Sequence, residues 1–452
     1  VTVIRRLAEF AEFDRSIADA IATRAWSFIS GPISLLIIAK YLSPDVQGYY
    51  YTFFSLLALQ IFVELAFSFV INQFASHEWA HLHFDERQAI AGEPRARSRL
   101  ISLGRFAFKW FAAAGVIFVA GVSVAGYRFF SKSPSHGVVW QFPWLALVAM
   151  TGIQLGTLPM YSLLEGCNQI SASYRFKLAQ AIIASLALWG AFVSGWGLWA
   201  AAASSAASSC VLIAVFFRYR RFFGAFRSAP SGETIHWKEE IWPMQWRLGM
   251  AAVVNYFMFN LFTPVMFRYH GAAVAGQMGM TWSLAMMLQQ TAGFWITTKM
   301  PRFGILIAKK DYKTLDGLFI RSSLVSLTLI VAGALGVWLL VVLVNDLHFR
   351  WSARILPPLP TGILLLASVL LHISACQSAY LRAHKREPLL ALNMISSVSI
   401  GLLVWYLGKK FGPLGACSGY LAVIALYVIP YETYLWRHYR ALWHGPRGME
   451  AA

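Results

Sequence analysis

The side chains able to do chemistry stand inside long apolar runs. Glu64 lies in the run 48–73, well away from both ends, and reads as the one charge so placed. A carboxylate held out of water is costly, so it is a functional candidate by default, here a proton or cation site. Arg24 sits near the start of the run 20–42 and is expected to reach a similar depth, as an anion contact or as the static partner of Glu64. In the second half Arg247 opens the run 248–267, Asn255 and Asn260 follow on it, and Gln289 and Gln290 lie in the middle of 272–298. Amides at such places suit sugar hydroxyls or simple interhelical hydrogen bonding. His372 and Gln377 are weaker candidates of the same kind.

Nothing in the sequence builds a catalytic centre. The motifs H-E-x-x-H, G-x-x-x-x-G-K-[ST] and G-x-S-x-G are missing. Cys167, Cys210, Cys376 and Cys417 are far apart in or beside apolar stretches, without metal or redox spacing, so neither metal nor cofactor is expected. An integral-membrane glycosyl- or acyltransferase would need acids or histidines beside a sizeable outside loop. The longest such loops, 128–137 and 345–358, offer His136, Asp346 and His348. The chain is therefore expected not to be an enzyme.

The runs themselves must position these residues. The 452 residues are 58% hydrophobic and 13% charged, with a mean hydropathy of +0.57. That excludes most soluble enzymes and leaves no room for a large domain outside a membrane. Twelve runs read as spanning helices: 20–42, 48–73, 106–127, 138–164, 178–195, 197–217, 248–267, 272–298, 322–344, 359–381, 388–408 and 411–436. With the N-terminus in the cytoplasm, 29 of the 38 Lys and Arg residues fall on inside segments and 8 on outside loops. This asymmetry orients both termini inward and accounts for the net charge of +18 without nucleic acid. The first run continues into a span without a small-residue cleavage site, so no cleavable leader is expected. Residues 1–18 alternate apolar and charged positions at helical spacing, as an interfacial helix would.

An offset of 228 residues aligns Lys40-Tyr41 with Arg268-Tyr269, Val46 with Val274, Gly48 with Gly276 and Ser55-Leu56 with Ser283-Leu284. Each copy is a short turn between the first two spans of a six-span half. The expected domains are thus 1–228 and 229–452, parallel repeats of six helices with the transport route between them. Gly31-Pro32, Pro159, Pro264 and Pro430 mark expected hinges. Basic clusters at inside ends include Arg175, Lys177, Lys299, Arg302, Arg382, Lys385 and Arg386.

Several stretches carry a family likeness. Ser30-Gly31-Pro32-Ile33, Lys40-Tyr41-Leu42-Ser43-Pro44 and Gln47-Gly48-Tyr49-Tyr50 resemble the first hairpin of polysaccharide-export and O-antigen (Wzx-type) flippases. Trp242-Pro243-Met244-Gln245-Trp246-Arg247, Ala275-Gly276-Gln277-Met278-Gly279 and Pro301-Arg302-Phe303 continue the resemblance, as do Tyr380–Pro388 and Gly412–Gly415. It implies an all-α membrane protein of the multidrug/oligosaccharidyl-lipid/polysaccharide exporter superfamily, two pseudo-symmetric six-helix bundles in a V. It also implies alternating-access flipping of undecaprenyl-pyrophosphate-linked oligosaccharide across a bacterial inner membrane. Arg24 and Arg247 then match cavity cations for the pyrophosphate, and Arg268 matches less well. Polysaccharide polymerase and glycosyltransferases would be partners, with membrane lipids around it. A cation-coupled drug or small-molecule exporter of the same fold, coupled through Glu64, is the alternative.

Overall fold

The computed structural model describes residues 2–133, 137–384 and 388–444, with side chains from residue 18 onward. The amphipathic side chains of residues 3–17, and His136, Lys385 and Arg386, lie outside the described residues. In chain order the helices are α1 (Thr2–Tyr41), α2 (Pro44–Leu57), α3 (Ile61–Glu64), α4 (Phe67–Trp79), α5 (Pro94–Phe130), α6 (Gln141–Gly166), α7 (Ile170–Val193), α8 (Trp199–Arg218) and α9 (Arg220–Ala225). They continue with α10 (Trp242–Phe259), α11 (Phe262–His270), α12 (Ala272–Thr297), α13 (Met300–Ala308), α14 (Tyr312–Asp346), α15 (Pro358–Ala383), α16 (Leu390–Val423) and α17 (Ile429–His444). One antiparallel hairpin, β1 (Leu82–Phe84) with β2 (Ile90–Gly92), interrupts the helices and had no signal in the apolar pattern.

Among the described residues nine helices are long and apolar enough to cross a membrane. Residues 237–259 and 262–270, bent by 43°, make a tenth if taken as one span. The expected eighth span is the 26-residue α12, which carries no charge but is diluted by Gln277, Thr281, Ser283, Gln289, Gln290 and Thr291. The expected eleventh and twelfth spans run together in one long helical stretch, kinked where Gly412 takes φ 63° before Pro413. No break separates the expected interfacial helix from the first span, because α1 is continuous from Thr2.

Proline explains some of the bends. The Pro264 ring has no N–H for the carbonyl of residue 260, and α10 gives way to α11 there. Likewise a π-helical turn at 424–428 precedes Pro430. Pro32 and Pro159, by contrast, sit inside continuous helices.

The chain forms two compact units, Val1–Leu42 with Leu56–Val253, and Ser43–Ser55 with Val254–Ala452. This differs from a split at 228/229 in two places, each with a packing reason. In the first unit, Trp237 packs with tilted rings against Phe106 and Trp110, 5.8 and 5.7 Å away, and donates to Gln245 Oε1 at 2.8 Å. Arg99 adds an ionic clamp, reaching Glu78 at 2.8 Å and Glu240 at 2.6 Å. These contacts hold the start of α10 to α4 and α5.

In the second unit, the start of α2 crosses the start of α12. A Cβ on Gly48 would lie 1.8 Å from the Ala272 carbonyl oxygen, and one on Gly276 would lie 3.0 Å from the Pro44 carbonyl oxygen. Pro44 and Ala272, like Gly48 and Gly276, are 228 residues apart, so the contact is reciprocal, as across a two-fold axis. Buried Gln47 locks it, donating to the carbonyls of Gly276 and Arg354 at 2.9 and 3.0 Å.

Gly48→Ala should lower stability by about 3 kcal/mol, since backbone must move. Gly121→Ala, with open space around the new methyl, should raise it by about 0.5–1 kcal/mol. Thermal unfolding of the detergent-purified protein checks both.

Candidate functional site

Glu64 does not sit in a continuous span. After α2 the chain tightens into a 3-10 turn at 58–60, makes the single turn α3, and breaks immediately after Glu64. Leu65 and Ala66 both take the left-handed conformation, at φ 49° and 56°. For residues with a Cβ this costs about 1–2 kcal/mol each. Neither Gly nor Pro announces the break, so the sequence pattern gave no sign of it. Helix α4 then starts without a side-chain cap. Ser68 is the hydroxyl that bears on Glu64 from across the break, although no well-formed hydrogen bond satisfies it.

The expected pairing of Glu64 with Arg24 is not among the ion pairs of the described residues. Packing explains this: α1 lies against α7, with Trp26 and Trp189 ring centroids 6.1 Å apart, whereas α3 lies against α5. Arg24 is exposed on α1. The helix that approaches the break is α10. A Cβ on Gly249 would be 3.0 Å from Leu65 Cβ and 3.1 Å from the Leu65 carbonyl oxygen. Arg247 stands two residues before that glycine, exposed, beside the Trp246 ring at 5.9 Å. Thus the first unit holds Arg24, Glu64 and Arg247, and brings the helix of Arg247 to the break behind Glu64.

The second unit holds the four amides and uses them unequally. Gln289 donates through Nε2 to the Ser368 carbonyl at 3.0 Å, and its Oε1 lies 3.1 Å from His372 Nδ1. His372 Nε2 lies 2.6 Å from Ser326 Oγ, which is also 2.6 Å from the Ala292 carbonyl. The Gln289 Oε1 can only accept, so Nδ1 carries a proton, while the single Ser326 hydroxyl proton serves either the Ala292 carbonyl or His372 Nε2. This chain joins α12, α14 and α15 and spends Gln289 and His372 on packing. Gln290 and Asn255 are exposed, and Asn255 Oδ1 accepts from Ser397 Oγ at 3.3 Å. Asn260 marks the bend between α10 and α11. Gln377 pairs with Thr433 at 3.0 Å.

A second acid was missed. Glu432 on α17 is 1% exposed, accepts from Ser374 Oγ, and has one carboxylate oxygen without a partner among the described residues. Its place near the end of the expected last span hid it, although Pro430 beside it was a usable signal. Glu64 is therefore not the one carboxylate of the interior. Among the described residues no group of His, Cys, Asp and Glu could hold a metal ion.

No family model and no curated protein matches this sequence. Solved structures do match. The lipid II flippase MurJ, in its inward closed conformation, aligns at TM-score 0.65 and 12% identity, covering 93% of this chain and 87% of that one. An inward-facing multidrug resistance MATE family transporter of the MOP superfamily aligns at 0.61 and 12%, covering 93% and 98%. The MATE multidrug transporter DinF-BH, in complex with R6G, aligns at 0.58 and 13%, covering 94% and 95%. The chain has the fold of these multi-pass membrane proteins.

Ala66→Gly should relieve left-handed strain and raise stability by about 0.5–1 kcal/mol. Ala66→Val, β-branched, should lower it by at least as much. The order of the two melting temperatures checks that the break after Glu64 is built as described.

Proposed function

We propose that the chain is a membrane transporter that moves undecaprenyl-pyrophosphate-linked oligosaccharide from the cytoplasmic to the periplasmic leaflet of a bacterial inner membrane, by alternating access. The observation that supports this reading is the likeness in fold to a lipid II flippase over 93% of the chain. Arg247 and Arg24 are exposed cations suited to the pyrophosphate, and exposed Asn255 and Gln290 are suited to sugar hydroxyls. Asn260, at the bend, would join them. Gln289, already bonded to Ser368 and His372, would hold the lining in place rather than touch the sugar. Both termini would be cytoplasmic, as the basic loops favour. Polymerase and glycosyltransferases would supply and consume the lipid-linked glycan.

A second reading has its own observation. Glu64 at an unwound turn, with α10 packed behind it at Gly249, suits a carboxylate that gains and loses a proton or cation. In a flippase it would couple transport; in a cation-coupled exporter of drugs or other small molecules it would do the same for another cargo. The exporter neighbours favour this reading as much as MurJ favours the first.

Arg24→Ala with Arg247→Ala should cut surface polysaccharide by about tenfold or more while the protein still inserts. Normal polymer in that double variant would defeat the anion-contact reading. Glu64→Gln should impair transport at every pH and sodium concentration. If instead drug efflux falls and polymer is unchanged, the exporter reading stands.

A further inference from the structure

A hollow of about 300 Å³ opens where α8 ends. It is lined by Arg87 and Gln88 from the turn of the β-hairpin and by Phe217, Arg218, Arg220 and Arg221 from the end of α8 and the start of α9. Two bonds clip the hairpin in place: Arg218 donates to Gln88 Oε1, and Arg221 donates to the Arg87 carbonyl at 3.2 Å. Both acceptors are neutral. No carboxylate lines the hollow. Asp85, in the same turn, spends Oδ1 on the amides of Arg87 and Ala89, at 2.9 and 2.7 Å. Glu86 is exposed and not among the lining residues.

We propose that this hollow is a binding site for a phosphate group carried on a lipid. Four guanidinium groups around one space repel each other until an anion sits among them. Their planar forks match phosphate oxygens two at a time, which lysine does not do. The apolar wall sets the rest of the ligand. Phe217 is 63% exposed on the last turn of a helix apolar enough to span a membrane, so the hollow lies where acyl chains give way to headgroups. An amphiphile can place its phosphate among the arginines and its chain along Phe217. The site is independent of what the protein transports. A phospholipid headgroup and a lipid or free pyrophosphate share this chemistry.

The test uses the detergent-purified full chain and three probes: phosphatidylglycerol, the diacylglycerol with the same chains, and inorganic pyrophosphate. Native mass spectrometry reads the lipids retained. Phosphatidylglycerol should bind about tenfold tighter than diacylglycerol. Arg87→Gln with Arg220→Gln should remove that difference, and the matching Lys variant should keep part of it. Arg302→Gln with Lys309→Gln, a basic pair elsewhere, should change nothing. Gln88→Glu places a carboxylate in the hollow, so it should raise the melting temperature and abolish binding together, which misfolding would not do. If pyrophosphate displaces the lipid, the phosphate itself is what the site reads. If pyrophosphate alone binds, and Gln88→Glu abolishes it, the ligand is soluble and the lipid assignment falls. Equal retention of phosphatidylglycerol and diacylglycerol, or full binding in Gln88→Glu, overturns the site.

Discussion

Two short stretches of backbone pass so close in the second unit that neither can carry a side chain. Gly48 faces the carbonyl of Ala272, and Gly276 faces the carbonyl of Pro44. Lipid offers no hydrophobic reward for pressing helices together, so close backbone approach and polar clamps must do it. The Gln47 amide on α2 supplies the clamp, bonded to the carbonyl of Gly276 on α12 and to that of Arg354 in the turn at 352–354. Further along the same two helices Tyr51 fills the space over Gly279, again a pair at the 228-residue offset. The crossing thus fixes the register of α2 on α12. Everything placed by those helices, including Gln289 and Gln290, depends on it.

Much of this was legible. Apolar runs located the long helices because hydrocarbon demands them, and the internal offset paired Gly48 with Gly276, although nothing in the pattern said that the two stretches touch. Other features lacked a local signal. The break at Leu65-Ala66 uses residues that favour helix, so only tertiary packing, with Gly249 set against Leu65, holds it open. The eighth span is only weakly apolar, since Thr281, Ser283 and Thr291 bond back to carbonyls of α12 itself and Gln289 bonds to Ser368 on α15. The partner expected for Glu64 depended on which helices neighbour α1 and α3, and spacing along a chain does not encode that.

Burial sorts the polar residues better than their types do. Gln289 and His372 looked as chemical as Gln290 and Asn255, yet the first two are consumed by a relay from Ser368 to Ala292. A group whose hydrogen bonds are already made inside the protein loses them to bind a ligand, which costs about 1–3 kcal/mol. Exposed groups such as Arg247 and Gln290 stay open to solvent and can meet a ligand without unsealing a buried network. On the proposed reading Arg24, Arg247, Asn255 and Gln290 would meet the substrate, while Gln289 would support the lining.

The two interior carboxylates differ in the same physical way. Glu432 is enclosed, with the Ser374 hydroxyl on one oxygen and no described donor on the other. Glu64 sits half-buried at a turn whose backbone has left the helix, so its surroundings are not fixed by a regular ladder. Changing the charge of a sealed group means breaking its seal, whereas a group at an unwound turn can change with a small shift of Leu65 and Ala66. A carboxylate coupled to movement needs the second arrangement. The left-handed strain stored at Leu65 and Ala66 then has a role, since a strained joint costs less to rearrange than a relaxed helix. On the proposed reading, the joint that moves and the group that titrates would lie at one point of the chain, with α10 packed against Leu65 there.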